Sequence, residues 1–332
     1  MKDELTAGAL FAGIGGFCFG FEDSGFATRW AVESDDAATR TYRNNFAAVR
    51  LIKEDVRNVS VSSHSLEEVD VLHAGFPCQS FSQAGSRRGF NDPRGKLFFE
   101  VIRLLGEFGD KKPSVLVLEN APYLRYGNGG AWMLRIEQEI KRAGYWFRSS
   151  NVAELDPFDL TPLPQKRRRL FMVAFAIDRF RNGRFEFPRA GNCGRKRLSE
   201  YIDFGGEKDG YYYLPRDNRY YHLISREVDK EERLYQLRKY VVRAKPPDVC
   251  PTLTANMGLG GHNVPFAKDA KGLRKLTEYE CAALQGFPTR FVFPEDVIRY
   301  QRYRQVGNAV AVPVAKRLAE SITKKIHEER DR

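Results

Sequence analysis

Cysteine is scarce in this sequence of 332 residues, which has five, and no two of them are spaced as a CxxC pair. The spacing indicates neither a zinc site nor a disulfide framework, so we expect free thiols in a reducing cytoplasm. Long apolar runs are missing as well, so no membrane-spanning helix is predicted. The first residues also lack the basic and then apolar order of a signal peptide. No cluster of metal-ligand residues stands out, and we expect no metal.

Acidic residues are the minority among the charged ones: 43 aspartates and glutamates against 54 lysines and arginines, for a formal net charge of +11. Such an excess favours a polyanionic partner, nucleic acid first and an anionic membrane surface second. A merely basic cytoplasmic enzyme is an equal alternative on charge alone.

Apolar runs typical of buried strands alternate with amphipathic stretches typical of helices in the first half of the chain. This order predicts an α/β fold with a mostly parallel sheet and helices on both faces. The predicted strands are 5–11, 28–32, 69–74, 114–118 and 170–176, and the clearest predicted helices are 97–108 and 132–143. A helical pattern returns near residue 273 and ends in a predicted helix over 310–326.

Residues 178–272 differ from the rest because they are rich in Arg, Tyr, Gly and Pro and show little periodicity. Arginines crowd the beginning of this stretch, and tyrosines follow. Basic residues interleaved with aromatic ones suit a nucleic-acid surface, and a solvated face over a small core is the alternative. We therefore predict a second domain, 178–272, inserted into a first domain made of 1–177 and 273–332.

A glycine-rich turn, Phe11-Ala12-Gly13-Ile14-Gly15-Gly16-Phe17, follows the first predicted strand. Small residues let the backbone approach a ligand, although an ordinary strand-to-helix turn has the same composition. Glu33 ends the next strand, where a carboxylate can accept hydrogen bonds from ribose hydroxyls. Asp55 ends a plausible third strand. The three strand ends outline a nucleoside pocket, unless the two acids are plain surface charges.

Three further motifs put reactive or basic side chains at strand ends. Cys78 follows Pro77 in a loop at the same sheet edge, where its thiol can reach a substrate, although a lone cysteine is usually a small buried hydrophobic residue. Glu119 ends its strand and is a plausible acid or base, or a helix cap. The run 165–169, Gln-Lys-Arg-Arg-Arg, indicates a phosphate contact or a basic surface. The small, polar and basic stretch 83–90 is typical of a mobile lid.

Together these motifs resemble those of the C5-cytosine DNA methyltransferases, in composition and in order. The resemblance covers the whole chain, and the insert falls where that family keeps its target-recognition domain. It implies a Rossmann-like S-adenosylmethionine-dependent methyltransferase domain with a mixed, mostly parallel sheet, plus a smaller inserted target-recognition domain. The matching motifs are Phe11-Ala12-Gly13-Ile14-Gly15-Gly16-Phe17, Pro77-Cys78-Gln79, Glu119-Asn120, Gln165-x-Arg167-x-Arg169, Leu284-Gln285-Gly286-Phe287-Pro288 and Gly307-Asn308-Ala309-Val310.

The resemblance also implies a role for each motif. S-adenosylmethionine, which leaves as S-adenosylhomocysteine, would be bound by Phe11, Gly13, Gly15, Gly16, Phe17, Glu33, Asp55, Pro77, Asn308 and Val310. The residues that act on cytosine would be Cys78, Glu119, Arg167 and Arg169. Duplex DNA would be bound by Gln79, Ser82, Arg87, Arg88, Gln165, Thr252, Thr254 and Gly260. Ser34 departs from the family pattern, which often has a large apolar residue there to cover adenine.

In the implied mechanism Cys78 adds to C6 of a cytosine turned out of the duplex, and C5 then takes the methyl group. Glu119 would stabilise the ring at N3, and Arg167 would hold O2. The expected protein is a monomeric enzyme of the bacterial cytoplasm, without a membrane or a metal. It would protect host DNA, and a restriction endonuclease that acts on the same site is an expected partner.

Two alternatives stay open. A related branch acts on transfer RNA, but its usual Cys-Phe-Thr signature is absent here, and the long insert favours DNA. A non-catalytic DNA-binding protein on the same scaffold is the other alternative. The presence of Cys78, Glu119 and Arg167 argues against it.

Overall fold

The computed structural model describes residues 4–82, 87–191, 193–228, 232–238, 241–259 and 263–331. The chain packs as two compact units. Unit 1 consists of Met1–Leu155, Arg168–Arg189 and Val312–Arg332, and unit 2 of Asp156–Arg167 and Ala190–Ala311. Unit 2 thus includes residues 156–167, which precede the predicted insert, leaves the first residues of that insert, 178–189, in unit 1, and extends beyond residue 272 to Ala311. The assignment of 178–272 to target recognition remains a prediction.

Helices and strands alternate along the first half of the chain, and each strand and helix predicted there is present within a few residues. In chain order the elements are β1 (Leu5–Leu10), α1 (Gly16–Glu22), β2 (Phe26–Glu33), α2 (Asp36–Asn45), β3 (Arg50–Lys53), β4 (Val71–Ala74), α3 (Leu97–Phe108), β5 (Val115–Asn120), α4 (Ala131–Arg142), β6 (Tyr145–Trp146), β7 (Val152–Leu155), α5 (Pro157–Leu160), β8 (Arg169–Ala176), α6 (Tyr221–Glu227), β9 (Tyr235–Arg238), β10 (Val241–Ala244), β11 (Pro265–Lys268), β12 (Leu273–Lys275), α7 (Glu278–Leu284), α8 (Arg299–Asn308) and α9 (Val312–Arg330).

Eight strands form the sheet of unit 1. Parallel pairings join β3, β2, β1, β4 and β5 in that spatial order. β8 then pairs antiparallel with β5, and β6 and β7 pair antiparallel with β8. The predicted mixed, mostly parallel sheet is confirmed. Because β1 to β5 are parallel, the segments that follow them all leave from one edge of the sheet, where ligands bind in open α/β sheets.

The core of unit 1 explains why its central strands are apolar on both faces. Trp30, Leu72 and Leu116 on the strands pack with Phe98 of α3 and with other buried residues. Gly8 on β1 is needed because a methyl group there would lie 2.4 Å from Cζ2 of Trp30. Full burial of side chains of this size stabilises a fold by about 1.5–3 kcal/mol each.

The first and last helices of the chain pack closely against each other. A methyl group on Gly20 of α1 would lie 2.6 Å from both Cβ of Ala315 and the backbone N of Lys316 on α9. The hydroxyl of Ser24 also donates to the Lys316 carbonyl at 3.1 Å. The predicted C-terminal helix is therefore confirmed, with bounds of Val312–Arg330.

Unit 2 contains a four-stranded antiparallel sheet in the order β10, β9, β11, β12. Arg274 on β12 is completely buried beside two acids. Its Nε donates to Asp269 Oδ2 at 2.7 Å, and its Nη1 and Nη2 donate to the Glu280 carboxylate at 2.8 and 2.9 Å. Losing one partner would leave a buried charge uncompensated, so the triad fixes this part of the unit.

Candidate active site

The glycine-rich turn after β1 depends on left-handed backbone conformations. Gly13 has φ 57° and Gly15 has φ 86°. A methyl group on Gly15 would also lie 2.2 Å from Cε2 of Phe46, so only glycine fits. The backbone N–H of Gly13 donates to Glu33 Oε2 at 2.8 Å, which fastens the turn to the end of β2. Phe11 begins the turn with φ 55°, which is uncommon for a residue with a side chain.

Of the two acids predicted to line the nucleoside pocket, Glu33 ends β2, and Asp55 lies two residues after the end of β3. Glu33 Oε1 also accepts hydrogen bonds from the backbone N–H groups of Ser34 and Asp35, each at 2.8 Å. Burial nevertheless raises the pKa of Glu33. The Asp55 carboxylate accepts hydrogen bonds from Arg57 Nε at 2.9 Å and Nη2 at 2.6 Å, and this contact lowers the pKa of Asp55. The Arg57 partner was not predicted.

The Phe17 side chain stacks on a buried histidine. The ring centroids of Phe17 and His73 are 4.9 Å apart with an interplanar angle of 24°, and Phe171 meets Phe17 edge-on at 6.2 Å. Burial lowers the pKa of His73 to about 3, so its imidazole is neutral at physiological pH. Sequence reasoning missed His73, because a single histidine inside a strand carries no functional signal.

The Cys78 loop is fastened to the end of β5. The side-chain Nδ2 of Asn120 donates to the Phe76 carbonyl at 3.0 Å. The Cys78 carbonyl accepts from the N–H of Phe81 at 2.9 Å, which turns the chain sharply after the thiol. Asn120 therefore couples the loop that carries Cys78 to the strand that carries Glu119.

Cys78 is less buried than three of the other four cysteines. Cys18, Cys250 and Cys281 are buried, and burial raises the pKa of each thiol, to about 12 for Cys18. Cys78 and Cys193 are partly exposed. Because the thiolate is the reactive form, the three buried cysteines are poor nucleophiles.

Glu119 lies between a guanidinium and the Cys78 loop. Its Oε1 is 3.3 Å from Nε of Arg169, and both side chains are largely buried. A methyl group on Gly75, three residues before Cys78, would lie 3.6 Å from Glu119 Oε2 and 3.9 Å from Cε2 of Phe17. The acid, the cysteine loop and the predicted cofactor aromatic therefore meet around Gly75.

Two residues of the run 165–169 occupy the interior of unit 2, contrary to expectation. Gln165 was expected on DNA, but it is completely buried, and its Nε2 donates to the Leu284 carbonyl at 2.8 Å and to Gln285 Oε1 at 3.0 Å. A fully buried amide with these partners has no surface to offer a DNA strand.

Arg167 was expected to contact cytosine O2, but its guanidinium donates hydrogen bonds to backbone carbonyls instead. Nη1 donates to the Leu253 carbonyl at 2.7 Å, and Nη2 donates to the carbonyls of Gly307 and Ala309 at 2.8 Å each. The side chain is almost fully buried. Arg169, two residues later, is the arginine that adjoins Glu119.

The remaining predicted DNA-binding residues near Cys78 are accessible. Gln79, Arg87 and Arg88 are exposed, and Ser82 is half-buried. The Arg87 guanidinium carbon lies 5.7 Å from the ring centroid of Tyr123. Residues 83–86 of the predicted lid lie outside the described residues.

The predicted DNA-binding threonines of unit 2 donate their hydroxyl hydrogens within the protein. Thr252 Oγ1 donates to the Lys166 carbonyl at 2.7 Å, and Thr254 Oγ1 pairs with Asn256 Oδ1 at 2.6 Å. Gly260 lies outside the described residues. Arg179, which opens the predicted insert, lies in unit 1 and pairs with Glu68 at 3.3 Å.

The last predicted cofactor residues follow a close backbone contact in unit 2. A methyl group on Gly307 would lie 2.4 Å from the backbone N of Ala255, which explains the glycine before Asn308. Asn308 is exposed at the end of α8, and Val310 is buried. Pro77, in unit 1, is half-buried.

The described residues contain no group of three or more His, Cys, Asp or Glu side chains able to hold a metal ion. Among the same residues, no helix is long and apolar enough to cross a membrane.

The architecture matches that of solved methyltransferases. The chain superposes on the S. pombe Dnmt2 methyltransferase with a TM-score of 0.73 at 18% identity, covering 96% of this chain and 98% of that one. It superposes on the Entamoeba histolytica methyltransferase EhMeth with a TM-score of 0.70 at 18% identity, covering 99% of each chain. At this identity the likenesses show that the chain shares the fold of these proteins.

Sequence comparison is more specific. Residues 5–324 match the family model of the C-5 cytosine-specific DNA methylases. The chain is 40% identical to the Type II methyltransferase M.Bsp6I of Bacillus sp. (strain RFL6), covering 96% of this chain and 99% of that protein. It is 33% identical to the Type II methyltransferase M.DsaV of Dactylococcopsis salina, covering 97% and 86%. The chain belongs to the C-5 cytosine-specific DNA methylase family and is a DNA (cytosine-5-)-methyltransferase, as predicted.

Proposed function

We propose that the protein transfers the methyl group of S-adenosylmethionine to C5 of a cytosine within a specific duplex DNA sequence, through a covalent bond between Cys78 and C6. The observation that carries this proposal is the meeting of the Cys78 loop, Glu119 and Phe17 around Gly75. A nucleophile, an acid and a cofactor-covering ring are thereby available at one edge of the sheet.

The cofactor site fits a nucleoside that carries a sulfonium. The turn after β1 is open to close approach at Gly13, and Glu33 and Asp55 offer carboxylate oxygens for ribose hydroxyls and an adenine amine. Phe17, supported by His73, provides an aromatic surface. When bound, the cofactor supplies an electrophilic methyl group.

The chain's own residues activate the base. Cys78 Sγ forms a bond with C6, which gives C5 the electron density to attack the methyl group. The proton on C5 then leaves, and the S–C6 bond breaks. Glu119, holding a proton toward N3, stabilises the charge that develops on the ring. Because C5 and C6 are stacked in the duplex, the base must first be turned out, at a cost of about a few kcal/mol.

Arg169 is the better candidate than Arg167 for the contact with cytosine O2. Its guanidinium adjoins Glu119, and its side chain is 20% exposed. A guanidinium there can orient the Glu119 carboxyl group and donate to the O2 atom of the same base. Arg167 instead holds the backbone that follows α8.

The kinship with Type II methyltransferases supports a place in restriction–modification. The two relatives described above carry that name and align over most of their length. We propose that the enzyme acts as a monomer in a bacterial cytoplasm and protects host DNA from an endonuclease that cuts the same sequence.

A fluorinated substrate tests the covalent step. The methylated sequence is first mapped by bisulfite sequencing of DNA from cells that express the protein. A duplex with 5-fluorocytosine at the mapped site should then give, with S-adenosylmethionine, an adduct that survives denaturing electrophoresis, because fluorine cannot leave as a cation. Cys78→Ser should abolish the adduct, since a serine hydroxyl is far less ionised than a thiol.

Cys193→Ser is the matched control, because Cys193 is the other partly exposed cysteine. This variant should form the adduct as the wild type does. An adduct that persists in Cys78→Ser and disappears in Cys193→Ser would contradict the mechanism. Methyl incorporation into transfer RNA, with none into duplex DNA, would contradict the substrate.

A further inference from the structure

One aromatic ring in unit 2 has two exposed cations beside it. The Arg195 guanidinium carbon lies 3.6 Å from the ring centroid of Phe158, and Lys166 Nζ lies 4.9 Å from the same centroid. Both cationic side chains belong to exposed residues. A cation over the face of an aromatic ring is attracted by the electron-rich face, so the ring helps to hold both side chains near one point.

Arg195 is placed by a set of backbone contacts between two distant segments. Its Nη2 donates to the Phe158 carbonyl at 3.1 Å. The Cys193 thiol donates to the Leu160 carbonyl at 3.1 Å, and the Lys196 N–H donates to the Pro162 carbonyl at 3.1 Å. Residues 193–196 therefore run alongside residues 158–162, so the position of Arg195 does not depend on its side chain alone.

A third segment, residues 250–252, holds the backbone of Lys166 in place through hydrogen bonds. Its N–H donates to the Cys250 carbonyl at 2.9 Å, and the Cys250 N–H donates to the Pro164 carbonyl at 2.7 Å. The Thr252 hydroxyl donates to the Lys166 carbonyl at 2.7 Å. With Gln165 buried directly before it, the backbone of Lys166 is fixed while its side chain extends outward.

The two cations are not neutralised by a carboxylate within the described ranges of the chain. Lys196, which follows Arg195 in the chain, does pair with a carboxylate: its Nζ lies 3.7 Å from Glu200 Oε2. Two like charges beside one ring repel each other, and a bound anion would relieve that repulsion. The arrangement thus favours an anionic ligand that can face both side chains.

We propose that Lys166 and Arg195 bind the phosphodiester backbone of duplex DNA, with Phe158 holding both cations in place. The inference rests on the proposed function, in which DNA is the substrate. The net charge of +11 and the membership of a DNA methylase family favour DNA over other polyanions. The contact would be independent of base sequence, so it would add affinity and orient the protein without reading the site.

Salt dependence of binding to a duplex of arbitrary sequence tests the proposal. For each lost phosphate contact, the slope of log K against log salt should become shallower by about 0.9. Lys166→Gln and Arg195→Gln should each lose about this much, and the double variant about twice as much. The ratio of variant Kd to wild-type Kd should then be about threefold larger at 50 mM than at 200 mM salt for each contact. Cofactor binding, followed by calorimetry, should not change.

Lys196→Gln is the matched control, because it removes one exposed positive charge from the residue directly after Arg195. Its slope should equal that of the wild type. Phe158→Leu, which keeps both charges but removes the ring, should weaken binding without changing the slope by a full contact. Wild-type slopes in both Gln variants, with methylation of DNA intact in the wild type, would overturn this inference alone. Failure of the wild type to methylate DNA would instead overturn the proposed function.

Discussion

Arg167 and Arg169, two of the three arginines in the run 165–169, should have different effects when they are removed. Arg167 donates to three backbone carbonyls from a nearly fully buried position. Arg169 pairs with one carboxylate, that of Glu119. We predict that Arg167→Met destabilises unit 2, whereas Arg169→Met chiefly lowers turnover and has its smaller cost in stability in unit 1.

The magnitudes follow from what each substitution leaves behind. Arg167→Met leaves the Leu253 and Gly307 carbonyls without this donor, while the Ala309 carbonyl still accepts from Gln285 Nε2 at 3.3 Å. An unsatisfied buried acceptor costs about 1–3 kcal/mol, so the two together cost about 2–6 kcal/mol. That is a large part of the 5–15 kcal/mol that typically holds a domain folded. Arg169→Met removes one ion pair between side chains that are 20% and 12% exposed, which costs about 1.5–3 kcal/mol in unit 1. Its turnover should fall by about two orders of magnitude, as when one oxyanion donor is lost.

The assay must distinguish the two units. All three tryptophans, Trp30, Trp132 and Trp146, lie in unit 1, so tryptophan fluorescence during urea unfolding reports that unit. Amide hydrogen exchange of β9 and β11 reports unit 2. Arg167→Met should lose protection in β9 and β11, and single-turnover methyl transfer should fall chiefly in Arg169→Met. If Arg167→Met kept its protection within about 0.5 kcal/mol and still lost turnover a hundredfold, the assignment of Arg167 to the backbone would be refuted.

Two further predictions concern the support of the cofactor site and the space in front of Glu119. The pKa of His73 falls from 6.5 in the unfolded chain to about 3 in the fold, so folding expels the proton: stability is full above pH 6.5 and declines as the pH falls toward 3. His73→Phe should show a shallower loss of stability between pH 7 and pH 4 in urea titrations, and an equal loss in both proteins would contradict this. Gly75→Ala should fold normally, since its methyl group would meet Glu119 and Phe17 at ordinary contact distances, yet it should lower turnover at least tenfold by filling the space between them. Unchanged turnover in Gly75→Ala, with DNA affinity also unchanged, would contradict the prediction, because it would show that the reacting groups do not use the space between Glu119 and Phe17.

Much of the fold was predictable because strand burial and helix periodicity are local signals. The strand that became β5, for example, is apolar at four successive positions before Glu119, as a strand covered on both faces must be. The antiparallel pairing of β8 with β5 was not predictable, because pairing direction depends on where the chain returns and not on the composition of the strand.

The candidate site shows the same division between local and distant information. The positions of Cys78 and Glu119 near the sheet edge could be predicted because Cys78 lies four residues after β4 and Glu119 lies in the last two residues of β5. The interior roles of Gln165 and Arg167 could not, because their partners are the carbonyls of residues about 90 to 140 positions away. Spacing indicates that three side chains share a face, but it does not tell which of them points into a core.

The contact between α1 and α9 has a consequence for how the protein is made. Gly20 and Ser24, at the start of the chain, are completed by Ala315 and Lys316 near its end. A ribosome synthesises a chain at about 5–20 residues per second from its N-terminal end, so α9 is made after every other helix and strand described above. The packing beneath the glycine-rich turn therefore stays open until residues 312–330 have been made. A nascent chain cannot complete this unit early, and a chain terminated before residue 312 would leave the apolar face of α1 uncovered.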